Sequence, residues 1–320
     1  MNVLRTKRIW VAAVPLLAAG AFGLFQKPAS AEKPSSAESI ARCATRLKTS
    51  FLGKGATDAE LKAADPQAAV DAYLKAPEFV ELFARFLNSE LNPAPGMTSA
   101  EDATYHLGKY ILSNDLPYKD LFLGKFNVVV PNAQQPNNVV VQPDPNGLGY
   151  FRSRAWLVRY AGNELAGIKI VTGYRIMQNI TGLKLQAVSN AEGVDTSKAG
   201  RSAGVCAQCH FQDWSALDKV ASILTVRKGT GATMTFDPPA ATTVDIDGKA
   251  VTDDASLAAR LVDSENYNFN TCRLAFKFLY GRPENTCESQ VFDKCVTEFK
   301  KTGKIQTALS TIAKDDSFCQ

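Results

Sequence analysis

The strongest constraint on the fold and chemistry of this chain is one stretch, CAQCHFQDWSALDKV, residues 206–220. Its first five residues have the Cys-x-x-Cys-His spacing of c-type haem attachment. Two thiols three positions apart on a helical turn can each bond one vinyl group of a porphyrin, and the adjacent histidine can ligate the iron. Apolar residues then recur at helical spacing: Phe211, Trp214, Leu217 and Val220. The stretch predicts one covalent haem c held by Cys206, Cys209 and His210.

The first 31 residues have the pattern of an export signal. Three basic residues precede an uncharged run over residues 9–25, and Ala29-Ser30-Ala31 supplies the small residues that a signal peptidase requires. We predict a signal peptide of residues 1–31, with an uncleaved membrane anchor as the alternative. The sequence therefore predicts a periplasmic or otherwise exported protein, associated with a membrane only if the leader is uncleaved.

Composition and charge narrow the class of protein further. The chain is 45% hydrophobic and 21% charged, which is typical of a globular protein and excludes disordered and collagen-like chains. The leader holds four basic and no acidic residues, so the formal charge of +4 falls to about zero in the mature chain. Because no basic patch with interleaved aromatic residues occurs, we expect no nucleic-acid partner.

Three other interpretations of the two thiols compete with haem attachment. A zinc site would need two more ligands at similar spacing, and the chain has no second Cys pair or His pair of that kind. A thioredoxin-type redox pair is expected in a βαβ context, not ahead of a helical pattern. A structural disulfide is the third alternative. Because the predicted export leader is joined to a chain with only two histidines, we favour haem attachment.

Composition divides the mature chain into three regions. Residues 32–126 form an N-terminal helical region, in which Pro77 opens one helix and Thr98-x-x-Glu101 resembles a capping box for the next. Residues 127–204 form an irregular connecting region. Residues 205–320 form the haem-binding and C-terminal helical region.

The fold class follows from the periodicity within these regions. Two β-branched triplets favour a short hairpin or extended excursion over residues 127–149. Four helices are expected in the tail, one of which ends at Gly281 in a C′ position before Pro283. We therefore predict a mainly α protein, a helical bundle around one covalent haem, with the short excursion near residues 127–149.

The sequence does not decide which group would be the sixth iron ligand. His106 is the only histidine besides His210, and it shares the predicted inward stripe of its helix with Ala103, Leu107 and Tyr110. The thioether candidates are Met97, Met177 and Met234, although methionines more often fill a core than bind a metal. The alternatives are therefore His106, one of these methionines, or an open or water-bound site.

Short segments on either side of the haem motif occur in a characteristic order. They are NDLPY at 114–118, DIDGK at 245–249, FLYGR at 278–282 and IAKDDSF at 312–318. In this order they resemble the planctomycete- and myxobacterial-type single-haem cytochrome c family of unknown function. The resemblance covers residues from about 77 to 319, and it implies a helical region, one haem motif, an Asp-Gly loop and a closing helix.

The sequence departs from that family directly after the haem motif. Members of the family usually continue with an Asp-Pro-x-Gly segment, often with a methionine before it, whereas this chain has Phe211-Gln212-Asp213-Trp214-Ser215-Ala216. Asp213 matches the family aspartate, but the proline, the glycine and any nearby methionine are absent. A methionine ligand therefore cannot be carried over from the family.

Three functions are compatible with a single covalent haem in an exported chain. Electron transfer to a redox partner protein ranks first, because the axial ligands and burial of such a haem set a reduction potential. A haem enzyme of the peroxidase or oxidase type would use an open iron position, and the sequence offers only His106, or an arginine such as Arg175, as the acid or base. A structural or interaction subunit of an envelope complex is the third.

Five cysteines remain after the haem pair: Cys43, Cys272, Cys287, Cys295 and Cys319. Because their number is odd, at least one of them is a free thiol or forms an intermolecular disulfide. Cys287 and Cys295 are eight positions apart on what is predicted to be one helix. Their Cα atoms would then be about 12 Å apart, which is too far for a disulfide. We predict disulfides Cys272–Cys287 and Cys295–Cys319, with Cys43 unpaired.

Overall fold

Helices make up most of the chain, as the periodicity predicts. The computed structural model describes residues 36–96, 99–161, 170–185, 192–212, 215–229, 235–239, 242–246 and 248–320. The predicted leader, the methionines at 97 and 234, and Asp213 lie outside these residues. None of the helices in the described ranges has the length and hydrophobicity of a membrane-spanning segment.

Fourteen α-helices occur in the described residues. They are α1 (Ala37–Leu52), α2 (Asp58–Leu61), α3 (Val70–Tyr73), α4 (Pro77–Leu91), α5 (Ala103–Ser113), α6 (Asp120–Leu123), α7 (Arg154–Tyr160), α8 (Ile170–Thr181), α9 (Lys198–Arg201), α10 (Leu217–Ser222), α11 (Asp254–Val262), α12 (Glu265–Tyr280), α13 (Ser289–Thr302) and α14 (Ile305–Ala313). Short 3-10 helices cover Pro66–Ala69, Thr286–Glu288 and Asp316–Cys319.

Three antiparallel hairpins account for the strands of the described residues. They pair β1 (Phe126–Val129) with β2 (Val140–Pro143), β3 (Val226–Lys228) with β4 (Thr235–Asp237), and β5 (Val244–Ile246) with β6 (Lys249–Val251). The first hairpin confirms the prediction of a short hairpin within residues 127–149. The other two were not expected from their Thr-, Gly- and Pro-rich sequence.

Helix ends coincide with local capping chemistry. Ser36 and Ser39 form a capping box that starts α1, because each side chain accepts a hydrogen bond from the other residue's backbone amide. Helix α12 ends at Gly281, whose φ of 70° lies in the left-handed region, as predicted. Thr98 of the capping box predicted before α5 lies outside the described residues; the helix itself begins at Ala103 with Asp102 at its N-cap, and Asp102 makes no side-chain cap bond.

The predicted irregular region, residues 127–204, contains three helices after its hairpin, α7, α8 and α9. Helix α8 buries Ile176, Met177 and Ile180 on one face. Its glycine and β-branched residues weaken the helical signal in the sequence, whereas packing on α10, α11 and α12 stabilises the helix in the fold.

The buried apolar side chains form one cluster that includes residues from Cys43 to Cys319. Phe278 of α12 packs against this cluster and connects the N-terminal helices with the C-terminal region, because its ring centroid lies 6.5 Å from that of Phe51 in α1 and 5.0 Å from that of Phe83 in α4. All three predicted regions of the mature chain therefore contribute to a shared core.

The disulfides differ from the predicted pairs. Cys43 is bonded to Cys319, and Cys272 is bonded to Cys295, while Cys287 is free and exposed. Both predicted pairs, Cys272–Cys287 and Cys295–Cys319, are therefore wrong, and so is the free Cys43. The physical reason is that Cys272 and Cys295 lie on the buried faces of α12 and α13, whereas Cys287 lies in the 3-10 turn before α13.

Candidate functional site

The Cys-x-x-Cys-His motif lies on a helical segment. Cys206 and Ala207 are helical, and a π-helix follows over Gln208–Gln212. Wide turns of this kind are frequent at functional sites. Cys206 and Cys209 are partly exposed, and their thiols are not joined to each other. The alternative of a structural disulfide within the motif therefore finds no support.

The imidazole of His210 is held by a carboxylate. Nδ1 of His210 lies 2.8 Å from Oδ2 of Asp218, and the histidine side chain is 22% exposed. An ionised carboxylate only accepts hydrogen bonds, so Nδ1 carries a proton, and in the neutral ring the lone pair is then on Nε2. Within the described part of the chain, Nε2 has no hydrogen-bond partner. The ring is therefore oriented as in a metal-ligating histidine whose other nitrogen is held by a carboxylate.

Asp218 is shared between His210 and Arg201. Nη2 of Arg201 lies 2.8 Å from Oδ1 of Asp218, and its Nε lies 3.0 Å from Oδ2. The side chains of Arg201 and Asp218 are only 10% and 9% exposed. Burial raises the pKa of Asp218, but the hydrogen bonds from Arg201 and His210 outweigh it and hold the pKa below its ordinary value. Asp218 is therefore an anion in the folded protein.

A sharp turn brings Asp218 back onto the motif. Ala216, directly before α10, has φ 31° and ψ 55°, a left-handed conformation that is uncommon for a residue with a side chain. The hydroxyl of Ser215 donates to the carbonyl oxygen of Cys209 at 3.3 Å. Helix α10 in turn packs closely on α8, where a Cβ at Gly173 would lie 2.8 Å from Val220. The core thus fixes the helix that orients His210.

These residues suit a covalent haem. The two thiols could bond the vinyl groups, and His210 could ligate the iron through Nε2. Val205, 83% exposed, directly precedes Cys206, so apolar surface adjoins the first of these thiols. Among the described residues, no group of three or more His, Cys, Asp or Glu side chains is arranged to hold a metal ion. A haem needs fewer ligands from the protein, because its own nitrogens supply four.

The structure places His106 away from the predicted inward position. Its Nε2 lies 3.1 Å from the carbonyl oxygen of Ser99, and its ring contacts Tyr105 edge-on. It lines a surface pocket of about 440 Å³ together with residues of α5 and of the β1–β2 hairpin, and none of the described residues around this pocket belongs to the haem motif. None of the contacts described for His106 involves a residue of the haem motif.

Two further candidates from the sequence, Met177 and Arg175, both lie on α8. Met177 is fully buried in the core cluster, on the face of α8 that packs inward. Arg175, also on α8, donates to Oε1 of Gln178 at 2.5 Å, while its own buried Nε has no hydrogen-bond partner among the described residues. Neither side chain has a described contact with the motif.

Sequence reasoning missed Asp218 and Arg201. Asp218 lies eight residues after His210, and Arg201 lies five residues before Cys206. Opposite charges on either side of a motif are too common to indicate a contact, and the turn at Ala216 has no signature such as glycine. Comparisons with protein families, with curated proteins and with solved structures found no match. The geometry of the site is therefore the basis for the functional proposal.

Proposed function

We propose that this chain is an exported c-type cytochrome with one covalent haem, bound through Cys206 and Cys209 and ligated by His210, that transfers electrons to a redox partner protein. The observation that carries the proposal is the His210–Asp218 hydrogen bond of 2.8 Å, which fixes the proton on Nδ1 beside two unjoined thiols. When bound, the haem supplies an iron that takes up and releases one electron.

Export is supported by a second observation. Two disulfides, Cys43–Cys319 and Cys272–Cys295, occur in the fold, and such bonds form and persist mainly in oxidising compartments such as the periplasm. Covalent attachment serves the same setting, because it retains the haem where free cofactor would be lost to the surroundings. Mass spectrometry of the exported protein tests the leader, since cleavage after Ala31 leaves Glu32 as the first residue.

The attachment itself is tested by extraction. The protein is produced in a bacterial host with a haem-attachment system, denatured and extracted with acidified acetone, which removes only non-covalent haem. We expect haem absorbance to stay with the wild-type chain and with Cys287→Ser, and to fall in Cys206→Ser and Cys209→Ser. Cys287→Ser is the matched control, because this free thiol lies outside the motif. Complete extraction from the wild type would refute the proposal.

Carbon monoxide separates electron transfer from catalysis. An iron with two protein ligands does not bind carbon monoxide rapidly, whereas an open position does. An unchanged spectrum of the reduced protein under carbon monoxide supports the electron carrier. A rapid spectral change supports the haem enzyme with an open iron site, and electron transfer would then no longer be the preferred function.

A further inference from the structure

We propose that Asp218 and Arg201 are positioning residues that set the electron-donating strength of His210, and through it the reduction potential of the haem iron. This inference rests on the proposed function and adds two residues outside the haem motif to it. Neither residue contacts the haem in the proposal; both act through the imidazole of His210.

The three side chains form one connected arrangement. Oδ2 of Asp218 accepts hydrogen bonds from His210 Nδ1 at 2.8 Å and from Arg201 Nε at 3.0 Å, and Oδ1 accepts from Arg201 Nη2 at 2.8 Å. A second anchor holds the guanidinium, because Arg201 Nη1 donates to the carbonyl oxygen of Thr196 at 2.5 Å. The carboxylate is therefore fixed from two sides and cannot turn away from the histidine without breaking the ion pair.

The two charges act on His210 in opposite directions. A carboxylate at Nδ1 draws the ring proton towards itself and makes Nε2 a stronger donor, which favours oxidised iron and lowers the potential. Arg201 neutralises part of the negative charge of Asp218 and so weakens this effect. Loss of Asp218 should therefore raise the potential, whereas loss of the Arg201 charge should lower it.

A purely structural role for the ion pair makes a different prediction. Arg201 and Asp218 lie on either side of the motif in the sequence, so their bond also closes the segment that carries it. Loss of either residue would break the ion pair and loosen the segment around His210, so the reduction potentials of the Asp218 and Arg201 variants would move in the same direction. The sign of the two shifts therefore distinguishes tuning from closure.

The chain offers a matched control. Arg152 and Asp254 form an ion pair with the same two-point geometry, in which Nη2 lies 2.5 Å from Oδ1 and Nε lies 3.1 Å from Oδ2. The Asp254 side chain is 9% exposed, like that of Asp218, and neither partner has a described contact with the motif. Asp254→Asn therefore removes an equally buried carboxylate charge of the same kind elsewhere in the fold.

The experiment measures reduction potentials by spectroelectrochemical titration of haem-loaded full-length protein. Asp218→Asn should shift the equilibrium between oxidised and reduced iron about tenfold towards the reduced form, which is about 59 mV for one electron. Arg201→Gln should shift it in the opposite direction, and Arg201→Lys, which keeps the charge, should return it towards the wild type. Asp254→Asn should leave it unchanged.

Each outcome has a definite meaning. If Asp218→Asn does not accumulate, the comparison of Arg201→Gln with Arg201→Lys decides the proposal alone. Shifts of the same sign in the Asp218 and Arg201 variants, or an equal shift in Asp254→Asn, would overturn it. Covalent haem per chain is measured separately by staining. A wild type without covalent haem overturns the proposed function, whereas a haem-loaded wild type with unmoved variant potentials overturns only this inference.

Discussion

Gly149 lies against the backbone of Leu121, so closely that a Cβ at position 149 would be 2.2 Å from the Leu121 carbonyl oxygen. That oxygen already accepts a hydrogen bond from the amide of Tyr150 at 2.8 Å, so it cannot move aside freely. Gly149 also has a φ of 46°, which disfavours any residue with a side chain. This contact fixes the connection between α6 and the segment before α7.

Gly149→Ala should therefore be much less stable than the wild type. We expect a loss of about 2–5 kcal/mol, combining the left-handed backbone cost with overpacking against Leu121. Gly281→Ala is the matched control, because Gly281 has φ 70° but, apart from its neighbours in the chain, no described residue has an atom within 4 Å of the added Cβ. Its loss should be only about 1–2 kcal/mol. Equal losses in urea unfolding would contradict the close contact.

Glu60 predicts a dependence of stability on pH. Its carboxylate accepts hydrogen bonds from Lys48, Thr57 and Tyr73, and these bonds, led by that of Lys48, lower its pKa from 4.5 to about 2. A depressed pKa stabilises the fold above the unfolded value near 4.5, and this contribution is lost as pH falls towards 2. Glu60→Gln should have a lower melting temperature than the wild type at pH 7, and this difference in melting temperature should shrink between pH 4.5 and 2. A difference independent of pH would count against the arrangement.

The disulfides predict a specific pattern of crosslinks and stabilities. Peptide mapping without reduction should yield Cys43–Cys319 and Cys272–Cys295, with Cys287 free. Replacing Cys43 and Cys319 together by Ser should cost about 2–5 kcal/mol in urea unfolding, because the bond restricts the unfolded chain. Cys287→Ser, at an exposed free thiol, should change the free energy of unfolding by no more than about 0.5 kcal/mol. Crosslinks through Cys287 would refute this pairing.

His106 should not serve as the sixth iron ligand. Because its Nε2 contacts the Ser99 carbonyl oxygen at 3.1 Å and none of the described residues around its pocket belongs to the haem motif, we expect His106→Ala to keep the absorption spectrum of the wild type. We also expect no gain of carbon monoxide binding. The matched comparison is His210→Ala, which should lose normal ligation. New carbon monoxide binding in His106→Ala alone would restore His106 as a ligand.

Periodicity predicted the helices where one face is clearly apolar and the ends carry capping residues. Helix α12 illustrates this, since its buried residues recur at helical spacing and Gly281 ends it. The same signal was weak in α8, where Gly173 and β-branched residues lower helix propensity and tertiary packing supplies the stability. The hairpins β3–β4 and β5–β6 have strands of only three residues each, too short for an alternating pattern to be recognised.

The site was predictable only in its local part. Cys206, Cys209 and His210 lie within five consecutive residues, so their spacing can be recognised from the sequence alone. The ion pair of Asp218 with Arg201 depends on the turn at Ala216 and on how α10 packs, which are properties of the folded chain. The disulfide pairs failed for the same reason, because spacing along the chain does not show which buried faces meet.

The bond between Cys43 and Cys319 closes a covalent ring that spans 276 positions of the chain. A protease that cuts one exposed loop, such as residues 131–138 between β1 and β2, opens this ring without releasing a fragment. The nicked molecule would migrate as one species on a non-reducing gel and as two after reduction. Cleavage at one surface loop would therefore leave the two fragments covalently linked, so that after unfolding they could refold together as one molecule.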